Sequence, residues 1–78
     1  MITHADLQNA IAEFTKRPAP EISDADTLAK LNLDSLALLE IIGMLEDRHE
    51  VQVDEDDLVN LKSVGDLLTV LNKAAKRA

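Results

Sequence analysis

The chain has no cysteine to staple it and a single aromatic residue, Phe14, to fill its interior. With 78 residues there is room for one domain, spanning 1–78, and a domain of that size buries only a modest share of its surface. Leu, Ile, Val and Ala must therefore build a dense core by themselves. Such a core can hold a small bundle of amphipathic helices together. It is a poor setting for catalysis, because it offers neither Tyr, Trp nor Cys. The missing cysteines also remove a disulfide framework, a thiolate nucleophile and cysteine-ligated zinc, which fits a reducing cytoplasm.

Charge narrows the partners. Fifteen acidic against eight basic residues leave a formal net charge of −7. That balance argues against nucleic acid and anionic membrane surfaces, both of which reward Lys and Arg. It suits basic patches on other proteins, and it equally serves to keep a small domain soluble. The amino terminus MITHADLQ lacks the basic and long apolar regions of a secretory signal. No apolar run approaches the roughly 20 residues of a membrane span. The expectation is a soluble, cytoplasmic, monomeric chain, with Met1 pointing to a free-standing protein.

Thr3 and Asp6 have capping-box spacing, and Leu7, Ile11 and Phe14 then recur at helical period. This first helix should end near Arg17, since Pro18 and Pro20 cannot continue it. A long connection follows, from Pro18 to Asp34, with apolar anchors at Ile22, Leu28, Leu31 and Leu33; connections of this length are often functional. Asp34 introduces a second helix running from Ser35 to about Glu50. A short helix follows Asp54, where Glu55, Asp56 and Asp57 favour the positive end of the helix dipole. Ser63 and Asp66 repeat the capping pattern before a last helix carrying Val64, Leu67, Leu68 and Leu71, with Lys73, Lys76 and Arg77 at its carboxyl end. Strand-like alternation is confined to Val51–Gln52–Val53. The fold class is all-α: a small bundle of three main helices plus one short helix.

At 100° per residue, Leu38, Ile41, Ile42, Leu45 and His49 gather on one side of the second helix and should face the core. The opposite side carries Leu36, Glu40, Gly43 and Asp47, with Leu39 and Glu50 at its margin. The backbone amides that open this helix form a natural anion site. Ser35 beside them reads either as a cap or as a hydroxyl esterified by a phosphate, which the helix end would stabilise. His4 and His49 lie far apart in sequence, His4 near a mobile end, and neither belongs to an obvious serine and carboxylate arrangement. Asp54–Asp57 lacks the glycine and spacing of a calcium loop.

At these residues the chain resembles the acyl carrier protein family, including the related peptidyl carriers. The likeness rests on Leu28–Ala29–Lys30–Leu31–Asn32–Leu33–Asp34–Ser35–Leu36, followed by Leu39, Glu40 and Leu45–Glu46–Asp47, and it extends over the whole chain through Val51–Gln52–Val53–Asp54. The resemblance implies that Ser35 carries a covalent 4'-phosphopantetheine arm, installed from coenzyme A by a phosphopantetheinyl transferase. The arm would hold acyl or aminoacyl groups as thioesters, and the chain itself would not be an enzyme. Asp34 matches the aspartate that helps hold a divalent metal in the transferase complex. Leu36, Leu39, Glu40, Gly43, Asp47, Glu46 and Glu55 fall where family members meet partner enzymes. Those partners would include an acyltransferase or an adenylating (ligase-type) loading enzyme and a ketosynthase or other acyl-processing enzyme. Leu38, Leu39, Ile42, Val53, Leu58, Leu61 and Leu67 could shelter an acyl chain, and each reads equally well as core.

Three positions depart from the family pattern. Asn32 replaces a usual glycine, and asparagine tolerates the left-handed backbone such a turn needs. Ala37 replaces a polar residue, which should weaken a partner contact. Gly43 replaces a larger side chain at up to about 1 kcal/mol of helix stability relative to alanine. That substitution points either to a partner in close approach or to a change in an internal pocket. The lead-in to Ser35 favours carriers of polyketide or hybrid polyketide and nonribosomal peptide pathways. A housekeeping fatty-acid carrier is the alternative, and from a different class, an acidic helical adaptor that is never modified.

Overall fold

The computed structural model describes residues 1–77, with side chains through Lys76. It contains helices α1 (His4–Thr15), α2 (Ser35–His49) and α3 (Val64–Arg77), with a 3-10 turn at Glu55–Leu58 between α2 and α3. Each boundary has a local chemical cause. The Asp6 N–H donates to Thr3 Oγ1 at 3.2 Å and the Thr3 N–H donates to the Asp6 carboxylate at 2.9 Å, which closes a capping box on α1. The helix ends at Lys16, whose backbone is left-handed (φ 59°) and whose N–H donates to the Ala12 carbonyl. That is one residue short of the expected stop. Glu50 closes α2 in the same way, at φ 54°. The Asp54 carboxylate accepts from the Asp56 N–H and starts the 3-10 turn.

The core is aliphatic throughout. Leu7, Ala10 and Ile11 of α1 meet Ala37, Ile41, Ile42 and Leu45 of α2 and Val64, Leu67, Leu68, Leu71 and Ala74 of α3. Each fully buried Leu or Ile in such a cluster contributes about 1.5–3 kcal/mol. Two expectations change here. Phe14 is exposed at the end of α1, so the apolar seam of that helix stops at Ile11. The buried arc of α2 is also rotated: Ala37 is buried while Leu38 and His49 are only half-buried. Ala37 therefore packs inward and is not a weakened partner contact.

The long connection is pinned, as its anchors imply. Leu28 and Leu33 are buried, and Ile22 and Leu31 pack against the core. Three backbone hydrogen bonds zip it to the start of α3: Leu28 N–H to the Lys62 carbonyl, Val64 N–H to Asp26, and Gly65 N–H to Asp24. Gly65 permits this approach, because a Cβ there would lie 3.2 Å from both the Asp24 Cβ and its carbonyl oxygen. Within the loop, the Ser23 N–H donating to Asp26, with the Lys30 ammonium beside it, holds that carboxyl below its ordinary value. Asn32 takes a left-handed backbone (φ 59°), as expected for the glycine-like position. The amino terminus is held as well. Ile2 exchanges two hydrogen bonds with the Asn72 side chain, and His4 Nε2 lies 2.7 Å from Asp24 Oδ1. His4 is thus fixed and not near a mobile end.

Candidate functional site

Asp34 and Ser35 divide the work at the start of α2. The Asp34 backbone is extended, and its Oδ1 accepts from the Ala37 N–H at 2.8 Å, so aspartate is the cap. Ser35 is therefore the first residue inside the helix. Its hydroxyl is exposed and has no hydrogen-bond partner among the described residues. Of the two readings open at this serine, capping is removed. A phosphate ester on Ser35 would sit at the positive end of the α2 dipole, next to amides that lack intrahelical partners.

Beside Ser35 opens a cleft of about 420 Å³, lined by Thr27, Leu28, Ala29, Leu33, Leu38, Leu61 and Lys62. Thr27 and Lys62 carry no signal in the sequence. They reach the site only because the Asp24–Leu28 and Lys62–Gly65 segments pair, a contact between parts of the chain far apart in order. The larger depression between residues 1–4 and α3, about 690 Å³, shares no residue with this cleft. Of the positions expected to shelter an acyl chain, Ile42, Val53 and Leu67 are core, Leu38, Leu58 and Leu61 pack against it, and Leu39 is exposed on the outer surface.

The outer face of α2 is laid out nearly as the helical period predicts. Leu36 is 70% exposed and Leu39 53%, with Glu40 and Asp47 exposed beside them. Neither carboxylate has an ion-pair partner among the described residues. Glu55 is exposed at the start of the 3-10 turn. Glu46 differs: it is half-buried and accepts from the Val53 N–H at 2.8 Å, which ties α2 to the segment after it. Arg48 and His49 are turned toward α1. Arg48 pairs with Glu13, and His49 lies 4.0 Å from Asp6. Neither histidine has a serine within its arrangement. In the acidic stretch after Val53, Asp54 caps the 3-10 turn and Asp57 pairs with Lys73. Arg77, expected to favour the end of α3, has its side chain outside the described residues. No helix among the described residues is long and apolar enough to cross a membrane.

Comparison with known proteins gives this geometry its context. Residues 5–71 match the family model described as a phosphopantetheine attachment site. An acyl carrier protein of Exiguobacterium sibiricum is 37% identical, with 85% of each chain covered. A non-reducing polyketide synthase of Acremonium egyptiacum is 36% identical over 86% of this chain, which spans 3% of that much longer protein. Among solved structures, hexanoyl acyl carrier protein from the actinorhodin polyketide synthase of Streptomyces coelicolor superposes with a TM-score of 0.79. That match is 28% identical and covers 100% of this chain and 95% of that one. The chain belongs to the acyl carrier protein family of phosphopantetheine-bearing carriers.

Proposed function

From that membership we propose that Ser35 bears the arm, and that the chain presents thioester-bound cargo from it without catalysing the chemistry. The observation that carries this reading is the exposed Ser35 hydroxyl, without a hydrogen-bond partner among the described residues, beside a helix cap made by Asp34. The arm supplies a terminal thiol, the nucleophile that this cysteine-free chain lacks. The protein's own residues do the rest. The α2 amino terminus stabilises the phosphodiester charge, the second oxygen of Asp34 is left for a divalent metal during transfer, and the cleft walled by Leu33, Leu38 and Leu61 flanks the arm's base. Leu36 and Leu39, with Glu40, Asp47 and Glu55 around them, form the face offered to loading and processing enzymes. An apolar anchor with a charged rim gives brief, steered encounters, which suit a carrier that visits several enzymes in turn.

The cargo route we favour is polyketide or hybrid polyketide and nonribosomal peptide assembly, in the cytoplasm. It is supported by the Leu28–Leu36 lead-in and by the likeness to the actinorhodin carrier along the whole chain. The higher identity, 37%, to the acyl carrier protein of Exiguobacterium sibiricum supports fatty-acid synthesis as the second reading. Incubation of the purified chain with a phosphopantetheinyl transferase, Mg²⁺ and coenzyme A tests the attachment. Intact mass should rise by one phosphopantetheine, and Ser35→Ala should abolish the gain. A folded chain that gains nothing would instead fit an unmodified adaptor. Offering the arm-bearing form to a malonyl-transferring acyltransferase and to an adenylating enzyme then separates malonyl cargo from aminoacyl or other adenylated cargo.

A further inference from the structure

Gly43 is a residue of α2 that the fold itself does not require. Its backbone is not left-handed, and a Cβ built on it meets nothing within 4 Å. Alanine would fit and would strengthen the helix by up to about 1 kcal/mol. An internal pocket is not served either, because that Cβ points into open space. What the glycine does create is a notch on the outer face. Leu39 and Glu40 stand one turn before it, Glu46 and Asp47 one turn after it, and Leu36 two turns before. Leu36 and Leu39 supply exposed apolar walls, and the carboxylates of Glu40 and Asp47, without an ion-pair partner among the described residues, form the rim.

We propose that this notch seats one bulky apolar side chain, flanked by Lys or Arg, from an enzyme that brings its active centre to Ser35. The proposal rests on Ser35 being the attachment site. Three observations select that occupant. The walls are apolar, the rim is acidic in a chain of net charge −7, and the notch lies close to the serine. Eight residues of helix separate Gly43 from Ser35, about 12 Å, so a protein surface docked over the serine also covers the notch. A second copy of this chain is a poor occupant, since a two-fold contact would set the acidic rims against each other.

The test uses the apo protein and the phosphopantetheinyl transferase of its own host, with arm transfer followed by intact mass against carrier concentration. Gly43→Met fills the notch, Gly43→Ala lines it, and Asn9→Met adds the same exposed side chain on α1. The expected result is a KM for the carrier raised about tenfold by Gly43→Met and by a smaller factor by Gly43→Ala, with kcat held and Asn9→Met without effect. Both Gly43 variants should melt no lower than the native chain, which separates the effect from misfolding. A KM for Gly43→Met within about threefold of native overturns the proposal. A native dimer in sedimentation that Gly43→Met dissolves would assign the notch to a second copy and overturn it equally. A native chain that takes no arm removes the Ser35 reading and this inference together, whereas a native chain modified normally beside an unaffected Gly43→Met removes this inference alone.

Discussion

Two serines stand at helix amino termini, Ser35 opening α2 and Ser63 preceding α3, each with an aspartate close in sequence. At Ser63 the hydroxyl accepts from the Asp66 N–H at 3.1 Å, and the Asp66 carboxylate accepts from the Ser63 and Lys62 N–H groups at 3.2 Å. Hydroxyl and carboxylate are both engaged in ending a helix. At Ser35 the order is reversed: the aspartate comes first, takes the cap, and pushes the serine one place into the helix with its hydroxyl free. The same two residue types thus make a structural device in one order and leave an exposed hydroxyl outside the cap in the other. A serine at a helix start is therefore informative only together with the position of its acid.

Removing Asp34 should break the difference most severely. Asp34→Ala leaves the Ala37 amide uncapped, and it also takes away the carboxylate next to the Ser35 hydroxyl. Urea denaturation should show a loss of about 1 kcal/mol, and initial rates of arm transfer should fall by about tenfold or more. Ser63→Ala should cost a similar amount of stability, about 1 kcal/mol, while arm transfer proceeds at the native rate. A slowed transfer in that variant would mean that the two helix starts are not independent.

The capping box of α1 sharpens the comparison through pH. The Thr3 N–H donating to Asp6 holds its carboxyl below its ordinary 3.8, with the Thr3 hydroxyl and His49 adding to the effect. A folded pKa below the unfolded one means that this contribution is fully present above 3.8 and drains away as pH falls past that value. Native protein should therefore be more stable than Asp6→Asn near neutrality, and denaturant midpoints should show the gap closing under acid. The smallest effect belongs to Ser35, the proposed attachment site. Ser35→Ala should change unfolding free energy by less than about 0.5 kcal/mol, because the hydroxyl holds nothing in the fold.

Much of this was legible in the sequence because caps and helical period are local. Thr3 with Asp6, Asp34, Asp54, and Ser63 with Asp66 all mark helix starts where the structure has them. Proline and the Asp34–Ser35–Leu36 motif placed the end of α1, the start of α2 and its outer face. Where the reading failed, the cause was packing between distant segments. The rotation of α2 that buries Ala37 and half-exposes Leu38 depends on how α1 and α3 flank it, which a single helical wheel does not contain. Phe14 lies at the right period but beyond the reach of the core. Thr27 and Lys62 join the neighbourhood of Ser35 through a loop pairing that Gly65 permits, and Glu46 is drawn from the outer face to the Val53 amide.

The most direct test of the central claim is to find which serine carries the arm. The chain has three, Ser23, Ser35 and Ser63. After modification with the transferase and coenzyme A, fragmentation mass spectrometry of the intact protein should place one phosphopantetheine on Ser35 and none on the other two. An arm on Ser23 or Ser63, or a folded protein that accepts none, would contradict the account.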